Sequence, residues 1–177
     1  MKTEIYFAGT GGQGLISSGI ILGKAATKAE LNVSQSQFYG MAARGGVSNA
    51  EIIISDSEIV YPKVSEPDVI IGLSQQGFSE YAPLAKKDAY VFYDPKYVSD
   101  ISCYPNAIAL PIYETTLECG NIKSLNLCAL GVVIGCSDVV NPVYVKDIIK
   151  ESFSPKFNDI NQKTFDAGYE LGKSYKK

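Results

Sequence analysis

Glu4-Ile5-Tyr6-Phe7-Ala8-Gly9-Thr10-Gly11-Gly12-Gln13-Gly14-Leu15 is the stretch that decides the fold. Residues 4–8 are a short, mainly apolar run of the kind that becomes a buried strand. A glycine-rich turn follows it. From Leu15 to about Glu30, apolar residues recur at Ile16, Ile20, Leu22, Ala25, Ala26 and Ala29, the spacing of a helix. Strand, G-x-G-x-x-G turn and helix together form a phosphate-binding type of opening. The turn exposes backbone N–H groups, and the helix N-terminus attracts anions. Gly9 permits the turn, Gly11 and Gly12 bare the backbone, and Gly14 lets the helix start tight against the strand. Gly19 and Gly23 inside the helix each cost about 1 kcal/mol against Ala. Close packing of that helix face on a sheet would offset the cost.

Outward from this unit, residues 32–38 and 47–55 read as a second and a third strand. The eight residues 39–46 between them are too few for a parallel crossover, so this pair runs antiparallel or splays apart, and the sheet is mixed. Residues 68–74 form a near-continuous apolar run of the parallel type. A helix over 75–85 that contains Pro83, a strand over 89–93 closed by Asp94-Pro95, and a short strand over 107–110 follow. Ser74 is the N-cap of the first of these helices. Ser124 caps a helix running to about Cys136, with Leu127, Leu130 and Ile134 on one face. Asn141-Pro142 opens a helix carrying Val145, Ile148, Ile149 and Phe153, and Asn161 opens another with Phe165 and Tyr169. The expected architecture is α/β: a three-layer, Rossmann-like domain spanning residues 1–177, with a mixed, mostly parallel sheet flanked by helices.

Composition excludes several classes of function. At 177 residues with 46% hydrophobic and 20% charged side chains, the chain has the makings of a globular core. The net charge of −3, with no basic run longer than the pairs Lys86-Lys87 and Lys176-Lys177, argues against a nucleic-acid surface. No leader-like segment opens the chain and no apolar stretch is long enough to span a bilayer, so a cytoplasmic location without membrane attachment is expected. There is no histidine, and Cys103, Cys119, Cys128 and Cys136 form no C-x-x-C pair. Neither a metal site nor a cluster held by this chain alone is expected. Cys128 and Cys136 sit in an apolar stretch and read as buried reduced thiols. No acid/base constellation is evident, so no catalytic residue is nominated.

The candidate binding residues lie in two loops. A free-standing dinucleotide site wants an acid at the end of the second strand for the ribose. The stretch from Val33 to Tyr39 has none, and Glu30 comes too early. NAD and FAD are therefore disfavoured, and the glycine loop is either a tight turn or a contact for some other anion. Gln13, a long amide in a loop otherwise bare of side chains, is expected to reach outward and favours the contact. The second loop, Tyr39-Gly40-Met41-Ala42-Ala43-Arg44-Gly45-Gly46-Val47-Ser48, holds the one arginine among fifteen lysines. A planar donor fork flanked by glycines suits a carboxylate or phosphate; it equally suits an ion pair that holds two elements together. Both loops are expected at the C-terminal ends of neighbouring strands, where ligands bind in open α/β sheets. The candidates are Gly9, Gly11, Gly12, Gln13, Gly14, Tyr39, Arg44, Gly45, Gly46 and Ser48.

These segments, taken in order, resemble the gamma subunit of the 2-oxoacid:ferredoxin oxidoreductases, a family that handles pyruvate, 2-oxoglutarate, ketoisovalerate and indolepyruvate. The two loops carry the resemblance. So do Ile59-x-x-Pro62-x-Val64-x-x-Pro67-Asp68-Val69, Leu73-Ser74-Gln75-Gln76, Asn126-Leu-Cys-Ala-Leu-Gly131, and the tail from Phe153 to Tyr169 with Asn161. Cys128 departs from the family pattern. The resemblance implies one part of an enzyme that decarboxylates a 2-oxoacid oxidatively, forms acyl-coenzyme A and reduces ferredoxin. It implies alpha- and beta-type partner subunits, and often a delta-type one, that carry thiamine diphosphate, Mg²⁺ and iron–sulfur clusters. Coenzyme A is then a co-substrate, and the isolated chain is inactive. The competing expectation is an autonomous Rossmann-type nucleotide-binding module or scaffold domain.

Overall fold

The computed structural model describes residues 1–39 and 46–176. Strand β1 (Lys2–Thr10) leads through the glycine loop into helix α1 (Leu15–Lys28). Then come β2 (Asn32–Tyr39), β3 (Val47–Ser55) and β4 (Val69–Gly72). Helix α2 (Gln75–Tyr81), β5 (Tyr90–Tyr93), β6 (Ile108–Ala109) and α3 (Ile112–Cys119) follow. Helices α4 (Leu125–Ser137), α5 (Pro142–Ser152) and α6 (Asn158–Lys173) complete the described strands and α-helices. The six strands form one sheet in the order β2-β3-β1-β4-β5-β6. β3 is antiparallel to both neighbours, and the β1-β4, β4-β5 and β5-β6 pairs are parallel. The sheet is thus mixed and mostly parallel in direction, as the short 39–46 connection requires.

Strand alternation divides the core. Ile5 and Phe7 of β1 face a large cluster with α1, α4, α5 and α6, whereas Tyr6 and Ala8 face a smaller one built on Phe78 of α2. Helices therefore cover both faces. Gly19 and Gly23 do pack against the sheet: a Cβ on Gly19 would lie 3.2 Å from Ala50 Cβ, and one on Gly23 would lie 3.5 Å from Val33 Cγ1.

Several boundaries differ from the sequence reading. α1 ends at Lys28, because Glu30 takes a left-handed backbone (φ 60°) that turns the chain into β2. α2 stops at Tyr81, and a 3-10 turn, Ala82–Leu84, accommodates Pro83, whose missing N–H cannot continue an α-helix. α6 starts at Asn158, and Asn161 is buried within it. Phe153 falls just beyond α5. Helix α3 is not anticipated by the pattern. Its first turn is held from outside the helix, by Asp94 Oδ2 accepting the Tyr113 N–H at 2.5 Å. The one-sided stripe expected on α4 is absent: every residue from Leu125 to Cys136 is buried.

The α4–α6 contact explains this. A Cβ on Gly168 would lie 2.0 Å from Cys128 O, one on Gly172 2.1 Å from Val132 O, and one on Gly131 2.3 Å from Phe165 O. The two helices run parallel and touch backbone to backbone, so α4 has no face left for solvent.

Candidate functional site

The glycine loop sits where β1 leaves the sheet, and its conformation is built from inside. Gly9 belongs to β1, opposite Ser48 in β3. It makes no turn itself. A Cβ there would lie 2.2 Å from Gln13 Oε1 and 2.5 Å from Leu15 Cδ1, so it is glycine because other atoms occupy its side-chain space. The turn is made by Gly12 and Gly14, whose φ values of 95° and 75° lie in the left-handed region. Gly14 is the N-cap of α1 and supplies no side-chain cap. The first-turn N–H groups of α1 therefore lack the usual side-chain acceptor.

Gln13 does not reach outward. Its Oε1 accepts the Thr10 N–H at 2.8 Å, and its Nε2 donates to Leu73 O at 2.9 Å. The amide thus ties the loop to the end of β4. It is a brace and not a rim donor, because both ends of the amide find backbone partners within the fold. Behind it lie Tyr97 and Asp94. Burial, then the Asp94 charge, raises the Tyr97 hydroxyl above its ordinary pKa, with the Gln13 amide opposing. Asp94, almost wholly buried, accepts from the Lys96 N–H at 2.8 Å as well as from Tyr113. Ser74 is the expected N-cap, its Oγ accepting from the Gly77 N–H at 3.1 Å. Asn126, at the start of α4, lies under the loop: a Cβ on Gly14 would stand 3.1 Å from its Cγ. Its carbonyl accepts from Ser18 Oγ at 2.8 Å.

The second loop is expected beside the first. β1 and β2 are not neighbours, because β3 lies between them. The first residues of β3 are nonetheless shared: Val47 pairs with Thr10 of β1, and Ser48 pairs with Tyr39 of β2. The chain therefore leaves β1 and β2 at the same edge of the sheet, on either side of β3. Gly46 O accepts the Gly11 N–H at 3.0 Å, so Gly11 does not offer its N–H to a ligand as the sequence reading has it. Gly11, Gly12 and Gly14 are exposed and Ser48 is buried. Arg44 and Gly45 lie outside the described residues.

Of the ten candidates, the structure gathers Gly9, Gly11, Gly12, Gly14, Gly46 and Ser48 around one edge and turns Gln13 into a brace. Sequence reasoning gives no role to Asn126, Asp94 or Tyr97. Asn126 enters the sequence reading only as the first residue of the 126–131 segment and Asp94 only as a strand end, and nothing in the local pattern shows that Asn126 lies under the loop or that Asp94 sits beside Tyr97. Among the described residues no group of three or more His, Cys, Asp or Glu side chains could hold a metal ion. None of the described helices is long and apolar enough to cross a membrane. Burial pushes the Cys128 and Cys136 thiols up to about 12.

Among the described residues, this end of the Rossmann-like sheet offers two left-handed glycines and a helix N-terminus without a side-chain cap. The chain belongs to the pyruvate ferredoxin/flavodoxin oxidoreductase family, whose model matches residues 4–171. It is 36% identical over 180 residues to the 2-oxoglutarate synthase subunit KorC of Methanothermobacter thermautotrophicus, covering 97% of this chain and 95% of that protein. Its fold matches the gamma subunit of a keto/oxoacid ferredoxin oxidoreductase from Geobacter sulfurreducens with a TM-score of 0.87 and 30% identity, over 100% of this chain and 99% of that one. It also matches 31% of a chain of the 2-oxoglutarate:ferredoxin oxidoreductase of Magnetococcus marinus, whose structure holds 2-oxoglutarate, coenzyme A and succinyl-CoA, with a TM-score of 0.85 over 98% of this chain at 22% identity. The family read from the sequence motifs and the α/β class are both confirmed. As a family member, the chain is one subunit of an oxidoreductase.

Proposed function

We propose that the chain is the gamma-type subunit of a 2-oxoglutarate:ferredoxin oxidoreductase and presents its glycine-loop edge to the coenzyme A approach. The observation that carries the reading is the pair of left-handed glycines, Gly12 and Gly14, that leave an uncapped helix end exposed. Backbone donors at a helix N-terminus suit the phosphates of coenzyme A. Glycines keep side chains out of the way, and Gln13 and the Gly11–Gly46 bond hold the donors in place. The KorC similarity supports 2-oxoglutarate as the oxoacid. Arg44 would add a guanidinium fork for a phosphate or a partner carboxylate, with Tyr39, Gly45, Gly46 and Ser48 shaping that side.

The chemistry falls to partner subunits of alpha, beta and delta type, in the cytoplasm. There, bound thiamine diphosphate with Mg²⁺ supplies the electron sink for decarboxylation, and iron–sulfur clusters carry electrons to ferredoxin. This chain's own residues bind and orient the co-substrate and exclude water at the shared edge.

The test is reconstitution with the alpha- and beta-type subunits, reading coenzyme A-dependent reduction of a one-electron acceptor by 2-oxoglutarate. The isolated chain should be silent and the complex active, with Arg44→Lys weakening assembly or turnover. Turnover by the isolated chain, or full activity of a complex that omits it, overturns the reading.

A further inference from the structure

β2 forms one margin of the sheet, and among the described residues no strand pairs with its outer edge. A terminal strand leaves a row of N–H and C=O groups unpaired. Soluble proteins blunt that row with lysines, prolines, bulges or extreme shortness. The opposite margin, β6, is two residues long. β2 uses none of these devices. Its eight residues carry no charge and no proline. They pair with β3 residue for residue, from Asn32 opposite Ser55 to Tyr39 opposite Ser48, without a bulge.

Apolar surface flanks this edge on both faces. On the α2 side, Ser34, Ser36 and Phe38 share a face by alternation, and Phe38 is 55% exposed. Ser34 Oγ donates to Pro62 O at 2.8 Å, which fixes the neighbouring segment so that Val60 and Tyr61 stand 90% and 62% exposed near the same strand. On the α1 side, a groove of about 640 Å³ runs between β2, α1 and α5, with Ile20, Val33 and Ile148 in its wall and Lys24 and Glu151 beside them.

We propose that β2 pairs antiparallel with β2 of a second copy of this chain, about a two-fold axis near Gln35 and Ser36, joining two six-stranded sheets into one of twelve strands. The strand is suited to itself. Continuing the faces requires that opposed residue numbers sum to an even value. An axis at Gln35 then sets Ser34 against Ser36 and Val33 against Gln37. No like charges oppose each other across the seam. The same symmetry brings the two grooves together, each carrying one cation, Lys24, and one anion, Glu151, so the contact is self-complementary in charge as an isologous interface must be. It also covers the exposed Phe38 and Ile20.

The test is sedimentation equilibrium of the full chain from about 1 to 100 µM, a range in which an edge-paired dimer changes population. The weight-average mass should rise toward twice the 19.1 kDa of the chain. Hydrogen exchange at residues 32–38 should slow with concentration. Ser36→Lys and Phe38→Lys each place a lysine on the edge. Each should weaken dimerisation at least about tenfold while leaving the melting temperature of the dilute protein unchanged. Val143→Lys, on exposed α5 surface, should leave the dimer intact. A mass that stays at 19.1 kDa throughout overturns the proposal. So does a dimer indifferent to both edge lysines. Protection of 32–38 only in the reconstituted complex assigns the edge to a strand of another subunit and overturns the second-copy pairing.

Discussion

Gly11→Ala separates folding from binding at the glycine loop. A Cβ at Gly11 would meet nothing nearer than Gly46 O at 3.9 Å, an ordinary contact. Its φ lies outside the left-handed region, and the residue is exposed. The folded state should therefore accept the methyl group. The loss of chain freedom in the unfolded state then stabilises the protein by about 0.4–1 kcal/mol. The same methyl stands on the open side of the loop beside Gly12. If the loop donors hold a charged group, each such hydrogen bond contributes about 1.5–3 kcal/mol. Blocking one costs roughly 10- to 100-fold in kcat/KM at about 1.4 kcal/mol per decade. The assay is initial rate against coenzyme A concentration in the reconstituted complex, beside urea denaturation of the isolated variant. Gly9→Ala gives the contrast. Its Cβ would meet Gln13 Oε1 at 2.2 Å and Leu15 Cδ1 at 2.5 Å, so it should lose about 1–3 kcal/mol of stability along with activity. A Gly11→Ala complex with unchanged KM for coenzyme A, unchanged kcat and normal assembly would refute the placement of the loop at the co-substrate.

Gly168→Ala should be among the most damaging single substitutions, since its Cβ would stand 2.0 Å from Cys128 O and only backbone can give way; a loss of about 3 kcal/mol, near 10 °C in Tm, is expected in a thermal melt. In the native protein one thiol should react quickly with an aromatic disulfide at mildly alkaline pH: Cys103 is exposed, whereas Cys128 and Cys136 are buried and pushed up to about 12. Denaturation should release the others. Burial would raise Glu4, but the Lys2 ammonium at 2.6 Å and the N–H groups of Ser65 and Glu66 outweigh it and hold the carboxyl below its ordinary 4.5. A depressed folded pKa gives stability that is present above the unfolded value and lost as pH falls through the folded one. The stability gap between the native chain and Glu4→Gln, read by urea midpoints, should thus be widest near neutrality and close below about pH 4.5.

The sequence was most informative where one residue type has one use. The 4–15 stretch marks β1, the loop and the start of α1 correctly. The length of the 39–46 connection correctly forces β3 to oppose its neighbours. What stayed hidden depends on contacts distant in sequence. Gln13 looks free in its loop, and only the end of β4, sixty residues on, shows why it turns inward. α3 owes its first turn to Asp94. α4 is apolar on every side, and what the sequence does not show is its cover, glycines of α6 that carry no apolar signature at all.

That last contact also bears on how the chain is made. α4 is apolar around its whole circumference, yet the backbone that covers it arrives only with residues 158–173. During synthesis at about 5–20 residues per second, the sheet and α1 can form while α4 still shows one side to water for seconds. The growing chain thus passes through a window in which its most hydrophobic helix is a target for chaperones or for neighbouring nascent chains. Conditions that slow translation between α4 and α6 should lower the soluble yield before they alter the finished fold.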